Sequence, residues 1–213
     1  MLKRMLSPVA LVRCALATLA LALVVAAQQP SPSTEKAKTD AAHYAAASAT
    51  KATAAAPKVG EAAPDFKLPY ATQEKVFMKP DEQMSLSSLR GKNVILAFYP
   101  ADWSGGCTTE VCTFRDTFAD LGKLNAVVLG ISGDYVFSHH EWAKHHKLQF
   151  PLLSDHDHKV ARLYDSYMEQ YGMNKRTIFL IDKEGIVRYV NLALKANEKK
   201  DYDALRAELE KLK

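Results

Sequence analysis

Two periodicities alternate along residues 59–213. The run at 93–99, Asn-Val-Ile-Leu-Ala-Phe-Tyr, is almost continuously apolar, which predicts a central strand buried on both faces. Residues 126–132, Ala-Val-Val-Leu-Gly-Ile-Ser, predict a second. Between them Val111, Phe114, Phe118 and Leu121 recur at helical spacing, so a helix over about 107–124 turns one apolar face to the sheet. Further on, 138–146 reads as a helix, 150–153 as a short strand and 159–164 as a short helix. Strands at 177–181 and 186–189 flank Asp182-Lys183-Glu184-Gly185, a four-residue hairpin turn. Residues 63–68 alternate like a short edge strand after a proline, and 201–213 form an amphipathic helix with Leu205, Leu209 and Leu212 on one side. Strands alternating with helices, closed by a hairpin, predict an α/β domain with a central mixed sheet flanked by helices. No internal repeat is present, and 71–84 takes no assignment beyond a long connection.

The first 58 residues follow neither pattern. Lys3 and Arg4 precede the uncharged stretch Cys14 to Ala27, fourteen residues, short of the roughly 20 that span a bilayer. Val25-Ala26-Ala27 supplies small residues for cleavage before Gln28. Residues 1–27 therefore read as a signal peptide, and the protein as exported, periplasmic or secreted. An uncleaved anchor from Leu6 to Ala27 is the alternative and would make the membrane a partner. Between Ala41 and Ala56, 10 of 16 positions are alanine, and no apolar stripe is available to pack. Residues 28–58 read as a disordered, Ala-rich linker.

Composition changes the picture in one respect. Of the formal net charge of +4, residues 1–27 hold +3 and 28–58 hold +2, so the domain carries −1. It has no electrostatic footprint for nucleic acid. With 3 cysteines and 9 glycines in 213 residues, disulfide-dense and collagen-like classes are excluded. Loss of Cys14 with the leader leaves Cys107 and Cys112.

Those two cysteines lie in the segment with most chemistry, Tyr99-Pro-Ala-Asp-Trp-Ser-Gly-Gly-Cys-Thr-Thr-Glu-Val-Cys-Thr-Phe-Arg-Asp116. A buried strand ends at Tyr99, and a polar loop leads into a helix whose first turn holds Cys107. Unpaired N–H groups and the partial positive charge of a helix start favour a thiolate, the reactive form of cysteine. Gly105 and Gly106 leave the backbone open to a small substrate. The alternative is a structural cysteine at a strand–helix junction.

The segment resembles the peroxiredoxins, most closely their bacterioferritin-comigratory-protein branch. The family's proline, hydroxyl residue and peroxidatic cysteine are matched by Pro100, Ser104 and Cys107, and the branch's resolving cysteine by Cys112. Val59 to Phe66, Leu89-Arg90-Gly91-Lys92, Phe150 to Asp155 and Arg176 to Asp182 match in the same order. The resemblance implies a thioredoxin-like fold and thiol-dependent reduction of hydrogen peroxide or organic hydroperoxides. It implies that Cys107 attacks the peroxide, that Arg176 stabilises thiolate and developing charge, and that Ser104 hydrogen-bonds substrate or sulfur. The Gly106 and Cys107 N–H groups would complete the pocket, with Pro100 shielding the sulfur. Cys112 would close an intramolecular Cys107–Cys112 disulfide, reduced by thioredoxin or another dithiol. No metal or organic cofactor is implied, and a monomer or homodimer is compatible. Ser104 and Gly105 stand where threonine and proline are commoner.

Two rivals are weaker. His139, His140, His145, His146, His156 and His158 cluster in sequence, but their spacing lacks the i, i+4 pairing of a helical metal site. A solvated helix face and loop is the expectation for them. A thioredoxin-like thiol–disulfide oxidoreductase would use Cys-x-x-Cys, whereas four residues intervene here. Glu110 either tunes the site by hydrogen bonding or is an ordinary acid near a helix start. Trp103 reads as pocket rim or a partner-facing contact, and Trp142 as packing.

Overall fold

A computed structural model describes residues 55–212. The leader expected at 1–27 and nearly all of the 28–58 linker lie outside the described residues. Pro57 is already buried, and Ala56 packs against the core.

The chain runs β1 (Lys67–Leu68), β2 (Tyr70–Ala71), β3 (Val76–Phe77), β4 (Met84–Ser85) and β5 (Asn93–Phe98), then helix α1 (Gly105–Lys123) and β6 (Ala126–Ser132). Next come α2 (Val136–His146), β7 (Leu152–Ser154), α3 (Lys159–Leu163), β8 (Tyr167–Met168) and β9 (Met173–Asn174). Strands β10 (Thr177–Ile181) and β11 (Val187–Asn191) precede the last helix, α4 (Lys199–Glu210). Among the described residues, seven strands form one sheet in the order β11-β10-β5-β6-β7-β2-β3. Strands β5, β6 and β7 are parallel, while β10, β11, β2 and β3 join antiparallel. The mixed α/β sheet is the thioredoxin-like architecture that the alternation and the resemblance imply.

The period of two in the central strands sorts the core. Ile95, Ala97 and Tyr99 face one cluster with Val111 and Phe114 of α1, Trp142 of α2 and Leu205 and Leu209 of α4. Val94, Leu96 and Phe98 face the other, with Val160, Ala161 and Tyr164 from α3 and its end. A strand covered on both sides has no polar face, so β5 is buried at every position.

Several boundaries move. Helix α1 starts at Gly105, two residues before the expected position, because the loop's last residue, Ser104, is extended and its carbonyl accepts the first helical bond from Thr108 N. The edge strand expected over 63–68 shrinks to β1, which pairs with β4 outside the main sheet. The long connection 71–84 contains a hairpin arm: β2 pairs β3, and the Tyr70 and Phe77 rings stack at 4.3 Å. The β10–β11 turn holds as read. The Asp182 carboxylate accepts from Glu184 N and Ile186 N, and Gly185 takes φ +86°, which glycine adopts without strain.

One register relation positions the site. Thr177 is paired with Phe98 across β10 and β5, and Phe98 with Ile131 across β5 and β6. Arg176 therefore enters at the sheet end where β5 gives way to the loop 99–104.

Candidate active site

Cys107 is the third residue of α1 and is fully buried. The first helical bond runs from Thr108 N to Ser104 O, so the N–H groups of Gly105, Gly106 and Cys107 lack intrahelical acceptors. Arg176 reaches across from the start of β10, and its Nη2 lies 3.3 Å from Cys107 Sγ. A guanidinium beside the sulfur and a helix start beneath it both favour negative charge there.

Glu110, one turn along α1, binds the other end of the same guanidinium: its Oε2 accepts from Arg176 Nη1. The Glu110 side chain is fully buried, and its Oε1 has no hydrogen-bond partner. Burial pushes its carboxyl up to about 7, with Arg176 working in the opposite direction. Of the two sequence readings for Glu110, the structure selects the contact with the site. Gly106 suits this approach, since a Cβ there would lie 3.2 Å from Arg176 Nη2 and the guanidinium would have to shift by a few tenths of an ångström. Gly105 has open space instead.

The loop before α1 is held from below. Asp102 is buried and accepts from Tyr99 Oη at 2.8 Å and Ser138 Oγ at 2.7 Å, and its Oδ2 lies 2.9 Å from His139 Nδ1. His139 Nε2 faces Leu153 O at 3.2 Å. The expectation of a solvated histidine face fails here: His139 is fully buried. Its position explains this, because Val136, His139 and Ala143 share one face of α2 and are buried together. That spacing was a readable signal. It couples the loop to α2 and β7, and the loop's next residue, Trp103, sits at φ 62°. A non-glycine residue there costs about 1–3 kcal/mol, which the surrounding contacts must offset.

Ser104 is exposed, and its hydroxyl donates to Ala101 O at 3.1 Å rather than to the sulfur. Pro100 is half-buried between the strand and this loop. Trp103 is about half exposed, donates from Nε1 to Ser138 Oγ, and packs near His145 and His146. Trp142 is fully buried core.

Cys112 is half-buried, and both thiols are free in this structure. Its Sγ lies 3.8 Å from His146 Nδ1, at the end of α2, so the two sulfurs have different neighbours. The remaining histidines are dispersed: His140 contacts Thr72 O, His156 Gly133 O and His158 Asn174 Oδ1. Among the described residues, no three His, Cys, Asp or Glu side chains form a metal-ligating group.

Comparison with known proteins gives this geometry a family context. The AhpC/TSA family model matches residues 59–190. A bcp peroxiredoxin of Coxiella burnetii is 43% identical over 139 residues, 62% of this chain and 87% of that protein. Peroxiredoxin Bcp of Bacillus subtilis is 38% identical over 136 residues, 60% of this chain and 80% of that one. The crystal structure of peroxidoxin BcpB from Mycobacterium tuberculosis superposes with a TM-score of 0.63 at 30% identity, covering 74% of this chain and 99% of that one.

Proposed function

We propose, from the premise that this chain belongs to the AhpC/TSA family and is a thiol-dependent peroxidase of the Bcp type, that Cys107 is the peroxidatic cysteine and Cys112 the resolving one. The observation that carries the reading is the Arg176 guanidinium on the buried Cys107 sulfur at a helix start. The thiolate sulfur attacks one peroxide oxygen and the O–O bond breaks. The departing hydroxide or alkoxide takes up a proton, and Cys107 is left as a sulfenic acid. Arg176, held by Glu110, offers N–H donors to the developing charge without reorganising. The Ser104 hydroxyl, donating to Ala101 O, keeps lone pairs with which to accept from a peroxide O–H. Cys112 then displaces water from the sulfenic acid, giving the intramolecular disulfide. A thioredoxin-type dithiol reduces it.

Peroxide turnover with a dithiol donor tests the assignment. Cys107→Ser should abolish turnover. Cys112→Ser should still be oxidised once, accumulate sulfenic acid, and pass to sulfinic acid at high peroxide. Sustained peroxide consumption by Cys107→Ser would overturn the reading. Export belongs to the same proposal, on the strength of residues 1–27. N-terminal sequencing of protein recovered outside the cytoplasm should begin near Gln28.

A further inference from the structure

We propose that His146 is the base that accepts the Cys112 proton when Cys112 resolves the oxidised enzyme. This rests on the reading of Cys112 as the resolving cysteine. A thiol must lose its proton to become a nucleophile, and an ordinary thiol with a pKa near 8.5 is mostly protonated at neutral pH. Cys107 has Arg176 for this purpose. Among the described residues no cation is hydrogen-bonded to the Cys112 sulfur: Arg115 acts on it only electrostatically, and the polar group in contact with it is the Nδ1 of His146 at 3.8 Å.

The imidazole is held in place rather than loosely nearby. His146 is the last residue of α2, and its carbonyl accepts from Arg115 Nη1 at 3.0 Å, which ties it to α1 three residues beyond Cys112. Its ring meets Trp142 edge-on at 5.8 Å, His145 at 4.7 Å and Trp103 at 6.4 Å. The charged and titratable groups around it are Cys112 and Arg115 from α1, with Asp116 paired to Arg115, and His145 from α2. Partial burial lowers the His146 pKa, with His145 and Arg115 acting in the same direction. The helix C-terminus favours a cation and opposes them. A neutral ring is an acceptor ready for the proton.

The step balances. The Cys112 proton passes to Nδ1, and the thiolate sulfur attacks the Cys107 sulfenic sulfur. The S–O bond breaks as the S–S bond forms, and hydroxide leaves and takes a proton from solvent, to which the imidazolium returns its own. Cys112 is oxidised, the sulfenic acid is reduced, and one water is released. Because the contact belongs to the folded helix, proton transfer precedes the opening of α1.

The test is rapid-mixing of the reduced full chain with hydrogen peroxide, with disulfide formation read by quenched mass analysis and tryptophan fluorescence. His146→Gln should slow the disulfide-forming phase on the order of 10²-fold at pH 7. The deficit should shrink toward pH 9, where a thiol ionises unaided. Added imidazole should accelerate resolution in His146→Ala, a comparison within one variant that remains decisive if its stability is altered. Wild-type or faster disulfide formation by His146→Gln across this pH range, or no imidazole effect, would overturn the proposal. Cys112→Ser serves as the separate control. If it still forms an intramolecular bond or resolves as wild type, the reading of Cys112 has failed, whatever His146 does.

Discussion

Arg176 Nη2 stands 3.3 Å from Cys107 Sγ, although 69 positions separate them in the chain. The antiparallel pairing of β10 with β5 closes that distance, and Glu110 keeps the guanidinium aimed. Arg176→Met should therefore reduce thiolate absorbance at neutral pH and slow peroxide oxidation by about 10²–10³-fold. Unchanged absorbance and rate would make Arg176 a bystander.

The second expectation concerns helix α1. In a straight helix, residues five apart have Cα atoms about 8.7 Å apart and point about 140° apart around the axis. A disulfide needs Cα atoms within roughly 4.4–6.8 Å. Helix α1 is continuous from Gly105 to Lys123 in this structure, so the Cys107–Cys112 bond requires its first turns to open. Thr109 and Thr113 already bond back to the carbonyls of Gly105 and Thr109, which weakens a helix slightly. Amide exchange should show protection over 107–113 lost on oxidation and regained on reduction. An intramolecular disulfide with that protection intact would contradict the argument.

Glu110 should leave a pH signature in stability. Its carboxyl is raised in the fold from an ordinary 4.5 to about 7, so between these values the folded state holds a proton that the unfolded chain has released. Stability contributed by the protonated carboxyl is full below pH 4.5 and declines as pH rises toward 7, by at most about 1.4 kcal/mol per pH unit. Glu110→Gln should lack that decline. Denaturant midpoints of the two proteins from pH 4.5 to 7.5 are the measurement, and parallel curves would refute the assignment.

Removal of the His139 ring should be costly. His139→Ala takes a partner from the buried Asp102 carboxylate and leaves Leu153 O without its side-chain contact. Leaving buried polar groups without a hydrogen-bond partner costs on the order of 1–3 kcal/mol. The urea midpoint at pH 7 should fall accordingly, and an unchanged midpoint would show that the brace carries no stability.

The sequence by itself determined the two central strands, the sheet-facing side of α1 and the reactive segment. Continuous apolar runs at 93–99 and 126–132 specify strands covered on both faces, and the spacing of Val111, Phe114 and Leu121 specifies the face of α1, because both are local periodicities of the backbone. Pro100, Ser104, Cys107, Cys112 and Arg176 were legible through the resemblance to the peroxiredoxins, whose motifs are short local segments matched in order. Only the tertiary structure decided that Glu110 shares Arg176 with Cys107, that Asp102 is the partner of His139, that the Ser104 hydroxyl turns to Ala101 O, and that Cys112 meets His146. Each of these depends on which side chains from distant segments arrive at one sheet end. A polar residue carries the same local signal whether water or a partner from another element satisfies it. Strand register and helix placement choose between the two, and those are set by the burial of the whole core.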